Sequence, residues 1–269
     1  MSNRSIHTLL KNWDEECPLT REEAVEVLNL PEEEMDSLME CAYALRTKYK
    51  GKKVSVQLLT NVRSGNCTQN CAYCAQSKDS QAEIEKYKRV SDEKLYGDND
   101  LVDEKHLARH CIGLSGIGFS DEEIEDLADR IREMKKKDTQ ICCSIGFLTE
   151  KQARILKDAG LDRINHNLNS SRSFYPEICT THTYDQRVNN IKMLQSLGFE
   201  ICSGGIVGMG ESKEDIVDML MDLREINPES VPINFLLPIP GTKLADRDIS
   251  ELTPDYCMKV LCLARLMVP

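Results

Sequence analysis

The residues best equipped for chemistry stand together in SGNCTQNCAYCAQS, where Cys67, Cys71 and Cys74 form a C-x3-C-x2-C arrangement. Three thiolates on one short loop can wrap three corners of a [4Fe–4S] cube and leave the fourth iron free to chelate a small molecule. Two blander readings stay open at this point. A structural zinc site is one, although zinc wants four closed ligands and no Cys or His completes the set nearby. Plain core cysteines are the other, because a free Cys packs well as a small apolar residue. The 269 residues contain twelve cysteines, too few for a small disulfide-stapled scaffold, and in a reducing compartment clustered thiols point to metal or redox chemistry.

Positioning such a loop is the task of the elements around it. Short β-prone runs alternate with capped amphipathic helices from residue 53 onward, the pattern of βα units and a parallel sheet. The spacing predicts strands over 54–60, 110–114, 140–145, 163–168, 200–207 and 231–237. Helices are expected to begin near Ser120, Thr149, Tyr184, Ser212 and Thr253. Thr20 with Glu23, Ser120 with Glu123 and Thr149 with Gln152 are capping-box pairs, and Gly160 and Gly198 fall where C-terminal caps belong. Pro31 is expected at the first position of a helix whose buried face carries Met35, Leu38, Met39, Ala42 and Leu45. The fold class is α/β: a (β/α) TIM-type barrel with six βα units, two short of a closed barrel, with a helical extension over 1–52 and the barrel domain over 53–269. The poorly patterned stretch 78–104 should be a long excursion holding one or two helices. In this fold a βα loop lies at the C-terminal mouth, where active sites are built.

Three further thiols fall on predicted strands: Cys111 in RHCIGLSG, Cys142 in QICCSIGFL and Cys202 in EICSGGIVGMGE. Alternate strand residues point into a barrel, so these three can converge on one interior point, although an isolated strand Cys is more often core. Gly204-Gly205 and Gly208-x-Gly210 suit close approach of backbone to a ligand; they do not spell the G-x-G-x-x-G dinucleotide fingerprint. Lys plus Arg is 34 and Asp plus Glu is 45, a net charge of −11, which argues against nucleic-acid binding. No apolar run approaches the ~18–20 residues of a membrane span and the N-terminus lacks a signal-like apolar region, so a cytoplasmic protein is expected.

The C-x3-C-x2-C loop with an aromatic, Tyr73, before its last Cys resembles the radical S-adenosylmethionine superfamily. The words INHNLNSS, CTTHTYDQR, CSGGIVGMGE, ESVPINFLLPIPGT and ARLMVP, in that order, are similar to the biotin synthase family within it. The resemblance implies that Cys67, Cys71 and Cys74 hold a [4Fe–4S] cluster whose open iron binds S-adenosylmethionine. It implies that Cys111, Cys142 and Cys202 hold a [2Fe–2S] cluster that donates sulfur, with Cys143 a mere neighbour. Asn167 and Asn234 match residues that hydrogen-bond the ureido ring of dethiobiotin, with Asn165 and His166 organising the same pocket. Tyr73, Asn167, Asn169, Gly204 and Gly205 are the implied S-adenosylmethionine contacts. The implied reaction is radical sulfur insertion into dethiobiotin, with an electron donor such as flavodoxin or ferredoxin and a homodimeric enzyme.

Two positions depart from the family pattern. Asn169 stands where an acidic residue usually binds the ribose hydroxyls, and an amide lacks the charge-assisted strength of a carboxylate. The family's arginine ligand to the [2Fe–2S] cluster comes from a seventh strand, and the sequence stops at Pro269 before it; Arg265 belongs to the preceding helix and does not take that role. The chain is therefore expected to be a fragment or an open barrel. Cys17, Cys41, Cys179, Cys257 and Cys262 are expected to be structural or incidental, and the five histidines to form no separate metal site. The rival readings are another radical enzyme, of the thiazole-pathway or hydrogenase-maturase kind, an inactive fragment, or a structural zinc protein.

Overall fold

The structure, a computed structural model, describes residues 19–268; Cys17 and the first part of the expected helical extension lie outside them. The N-terminal elements are α1 (Arg21–Leu28), a single 3-10 turn (Glu32–Glu34) and α2 (Met35–Lys50). The barrel follows as β1 (Gln57–Arg63), α3 (Asp92–Glu104), β2 (Arg109–Leu114), α4 (Asp121–Met134), β3 (Ile141–Ser144), α5 (Glu150–Asp158) and β4 (Arg163–Asn165). It continues through α6 (Tyr175–Ile178), α7 (Tyr184–Ser196), β5 (Glu200–Cys202), β6 (Gly205–Val207), α8 (Lys213–Ile226), β7 (Ile233–Phe235) and α9 (Pro254–Met267).

Helix starts follow local chemistry closely. All three expected capping boxes form, and two more appear at Thr183 with Gln186 and Ser212 with Asp215. The last closes with Asp in place of the usual Glu or Gln, which is why its pattern was not read as a box. Gly160 and Gly198 end α5 and α7 with φ of +95° and +76°, a region that costs glycine nothing. Pro31 is the cap of the 3-10 turn and not the first residue of a helix. Met39 is 36% exposed, so the buried stripe of α2 is Met35, Leu38, Ala42 and Leu45.

Strands β1 to β5 pair in sequence order, all parallel. Register makes two kinds of row. Thr60, Ile112, Cys143, Ile164 and Ile201 are mutual partners, all buried beneath the helices. The alternate row, Leu59, Cys111, Cys142, Arg163 and Glu200, faces the barrel interior, followed two residues later by Asn61, Gly113, Ser144, Asn165 and Cys202. Strand β1 starts at Gln57 and runs to Arg63, three residues beyond the expected span, because Thr60 and Val62 are the residues that bury; Val54 and Val56 are 74% and 58% exposed.

The expected fifth strand, 200–207, is broken in two. Strand β5 closes the five-stranded sheet, whereas β6 pairs with β7 in a separate parallel pair. The break falls at Ser203-Gly204, where a Cβ on Gly204 would stand 1.8 Å from the Pro232 carbonyl oxygen. Single bridges, Asn169 to Gly205 and Cys202 to Ser230, carry the pairing across it.

Helices α1 and α2 pack on the last two barrel helices and share their core. An ion pair of 2.6 Å joins Arg21 to Asp218, and the Lys259 ammonium donates to the Leu30 carbonyl. Among the described residues no helix is long and apolar enough to cross a membrane.

Candidate active site

A cleft of about 250 Å³ opens at the carboxyl ends of the strands. The chain leaves β1 through two left-handed residues, Gly65 and Asn66. The Ser115 hydroxyl donates to the Gly65 carbonyl at 2.6 Å, and the Gln76 side-chain oxygen accepts from the Gly65 N–H at 2.8 Å. The cysteine loop then docks on the segment between α6 and α7. Asn70 Oδ1 accepts the N–H groups of Thr180 and Thr181 at 3.0 and 3.3 Å, and the Ala72 N–H donates to Ile178 at 2.9 Å.

Cys67, Tyr73 and Cys74 line the cleft. All three loop cysteines are half-buried, and burial together with the neighbouring Cys67 raises the Cys74 thiol. Cys71 is not among the residues lining the cleft; its sulfur is 3.8 Å from that of Cys179. The hydrogen bond between them holds Cys71 up and Cys179 low, with His182 and Thr181 adding to the latter effect. Cys179 was expected to be incidental; its meeting with Cys71 depends on the docking of two loops about 100 residues apart in sequence, which no local pattern reveals.

The interior thiols follow from register. Cys111 and Cys142 are direct partners on one inward row, and Cys202 belongs to the next row up. Cys111 Sγ donates to Gln57 Oε1 at 2.9 Å; its neighbour Cys142 holds Cys111 low, and Cys111, burial and Cys202 together raise Cys142. Cys143 faces outward, fully buried in the helix layer. Beside these thiols, Glu200 Oε2 accepts from Arg109 Nη2 at 3.0 Å and Arg163 Nε at 2.9 Å. Arg109 Nη1 is buried without a partner. Two guanidinium groups share one carboxylate there, so positive charge is left facing the thiols. Charged residues at inward strand positions are the sequence signal for this pair.

Asn165, Asn167 and Asn169 project from the end of β4 into the cleft. Asn165 Nδ2 donates to Asn167 Oδ1 at 3.2 Å and lies 3.2 Å from Cys202 Sγ. The Gly204 N–H also donates to Asn167 Oδ1 at 3.2 Å, so the amide is oriented with its NH2 left over. Asn169 takes φ +72°, which Asn tolerates. His166 stays neutral, burial and the nearby Arg187 pushing it down to about 3. Gly204 and Gly205 make their close approaches to Pro232 and Met219 and do not line the cleft. Asn234 is exposed on β7, opposite Ile206, which does line it.

Arg187, unread in the sequence, reaches the same wall from α7. It donates to the Tyr175 hydroxyl at 2.5 Å, the Asn167 carbonyl at 3.0 Å and His182 Nε2 at 2.8 Å, none of which is a carboxylate. Its charge is therefore available to an anionic group in the cleft.

Residues 61–223 match the profile of the radical SAM superfamily, and 232–269 match that of the Biotin and Thiamin Synthesis associated domain. Over 252 residues the chain is 42% identical to the biotin synthase of Geobacillus kaustophilus strain HTA426, covering 93% of this chain and 75% of that one. The chain belongs to the biotin synthase family. The biotin synthase of Bacillus subtilis strain 168 is 41% identical at the same coverage. Membership of this family makes the chain an enzyme and implies a [4Fe–4S] cluster and S-adenosylmethionine as cofactors. Among solved structures, methylornithine synthase superposes with a TM-score of 0.84 at 19% identity, covering 98% of this chain and 77% of that one. The [FeFe]-hydrogenase maturase HydG from Carboxydothermus hydrogenoformans gives 0.83 at 19%, covering 98% and 63%. These two likenesses show that the chain shares their fold.

Proposed function

We propose that the chain converts dethiobiotin to biotin by radical insertion of sulfur. The observation that carries this reading is the stacking of two cysteine sets in one barrel. Cys67 and Cys74 stand at the mouth, Cys111, Cys142 and Cys202 on inward rows below, and the asparagines of the β4 end between them. Cys67, Cys71 and Cys74 would hold the [4Fe–4S] cluster; three thiols on one turn suit three corners of a cube. Cys111, Cys142 and Cys202 would hold the [2Fe–2S] cluster, and the orphaned Arg109 Nη1 suits an anionic thiolate cluster. When bound, the first cluster supplies the electron that cleaves S-adenosylmethionine to a 5′-deoxyadenosyl radical, and the second supplies the sulfur.

The chain's own residues bind and orient. Arg187 would pair with the carboxylate of S-adenosylmethionine, Tyr73 would flank it, and Asn169 would take its ribose hydroxyls with neutral hydrogen bonds. Asn167 would offer its free NH2 to the ureido carbonyl of dethiobiotin, with Asn234 across the interior as a second amide; a buried urea needs both donors and acceptors satisfied. Gly204 and Gly205 would act by shaping the turn that orients Asn167. Leu114, Ile117, Ile145 and Ile206 give the cleft an apolar wall that limits water around a radical. Residues 1–52 would serve as a helical extension of the barrel domain 53–269. A flavodoxin- or ferredoxin-like electron donor, a homodimer and a cytoplasmic location complete the reading.

Iron and acid-labile sulfide per chain, with Mössbauer spectra after anaerobic reconstitution, test it. Both [4Fe–4S] and [2Fe–2S] signals are expected. A [4Fe–4S] signal alone would reduce the chain to cleavage of S-adenosylmethionine, and a colourless zinc protein would overturn the reading outright.

A further inference from the structure

We propose that, in the cluster-free protein, Cys71, Cys179 and His182 form a binding site for one thiophilic divalent cation, zinc above all. The ligand atoms of the three residues all lie within 4.8 Å of one another. Cys71 Sγ is 3.8 Å from Cys179 Sγ, which is 3.3 Å from His182 Nδ1. A tetrahedral ion with Zn–S of about 2.3 Å and Zn–N of about 2.0 Å requires ligand separations of roughly 3.8 Å between sulfurs and 3.5 Å between sulfur and nitrogen. The corners of an iron–sulfur cube stand wider apart than that, so this trio has the dimensions of a one-ion site.

The fold assembles the trio for reasons independent of any ion. Cys179 and His182 are three residues apart in the turn that leads into α7, 4% and 6% exposed. The Asn70 bonds to Thr180 and Thr181 bring the cysteine loop against that turn and carry Cys71 with it. The Tyr175 hydroxyl is 2.8 Å from His182 Nε2. With Nδ1 bound to an ion the ring proton sits on Nε2 and donates to that hydroxyl, the outer partner that fixes a ligating imidazole. Two contacts are given up, Gln69 Oε1 to Nδ1 and Arg187 to Nε2, each 2.8 Å. Two thiolates balance the charge of a divalent ion, and thiolate with imidazole is a donor set that favours zinc over harder cations. A water would complete the four positions.

Cys71 cannot serve this ion and a cluster together. Zinc at the site therefore blocks assembly of the [4Fe–4S] cluster, a consequence that rests on the cluster reading of Cys71, whereas the site itself does not.

The test uses the full chain, reduced and cluster-free, in a Cys142→Ala background that breaks up the interior thiol set, titrated anaerobically with cobalt(II). One equivalent with thiolate charge-transfer and tetrahedral bands is expected. Cys179→Ala and the near-isosteric Cys179→Ser should each weaken it at least ~10-fold, and Cys67→Ala should leave it unchanged. Cobalt affinity unchanged from the Cys142→Ala parent in both Cys179 variants, or a loss in Cys67→Ala equal to theirs, overturns the site. A second arm reconstitutes iron and sulfide after zinc loading with Cys142 intact: the unaltered chain should fail to gain the [4Fe–4S] absorption, and Cys179→Ser should gain it. If neither gains it even without zinc, the cluster reading fails while the cobalt result stands on its own.

Discussion

Replacing Arg187 by Met removes a guanidinium and keeps most of the apolar stem. Arg187 is half-buried, its three partners are the Tyr175 hydroxyl, the Asn167 carbonyl and His182 Nε2, and none of them neutralises it. A hydrogen bond to a charged group contributes about 1.5–3 kcal/mol. Partial exposure favours the lower half of that range, so about 2 kcal/mol is expected, or roughly 30-fold in Kd for S-adenosylmethionine. The assay is equilibrium dialysis with cluster-loaded protein, run in parallel with the decarboxylated analogue. Only the carboxylated ligand should lose affinity in Arg187→Met, and Arg187→Lys, which keeps charge but not the planar fork, should fall between. Loss of the three hydrogen bonds the guanidinium makes also lowers stability, by about 1.5 kcal/mol or more for each, read separately by urea denaturation. Equal weakening of both ligands, or no weakening of either, refutes the assignment of the carboxylate to Arg187.

Cys142→Ala should lose the [2Fe–2S] signal and keep the [4Fe–4S] one, whereas Cys143→Ala should keep both and lose about 1 kcal/mol to a small cavity; Mössbauer spectra and a thermal melt separate the two. Asn169→Asp should tighten S-adenosylmethionine binding about 5-fold, the effect of ~1 kcal/mol from a charge-assisted bond to the ribose, with unchanged affinity in dialysis counting against the contact. His110 is fully buried between Thr60 and Asn99, and burial pushes it from its ordinary 6.5 down to about 4. The folded state thus holds the neutral ring, so its contribution is complete above pH 6.5 and is lost as the pH falls towards 4. By linkage the cluster-free chain should lose up to about 2 kcal/mol between pH 7 and 5 from this residue, a loss that urea titrations should find diminished in His110→Gln.

Much of this was legible from local chemistry, and what was not is nonlocal. Helix starts were readable because Thr20, Ser120 and Thr149 carry their caps and closing residues within four positions. The inward direction of Cys111 and Cys142 and the outward direction of Cys143 follow from a period of two once the strands are known. The break at Gly204 was not legible, because it goes with the close approach of the Pro232 carbonyl, just before β7. Cys179 and Arg109 take their roles from Cys71 and Glu200, about 100 residues away in sequence. Arg187 meets Asn167, Tyr175 and His182 nearer in sequence, through the fold of the segment between β4 and α7 and not through a helix period. Family resemblance named the clusters' cysteines but had nothing to say about these three.

The inward rows have a consequence for how such a site can change. Strand residues advance about 3.3 Å each, so the row of Cys111 and Cys142 and the row of Asn165 and Cys202, two residues apart, are about 6.6 Å apart along the strands. The pleat acts as a ruler whose smallest usable division is two residues, because a single insertion in β3 would turn Cys142 outward and Cys143 inward. Depth is therefore quantised by the backbone, and no side-chain substitution can slide one row towards the other. Adaptation to a longer or shorter substrate is left to the mouth, where Asn167 lies past the end of β4 and Arg187 reaches in from α7.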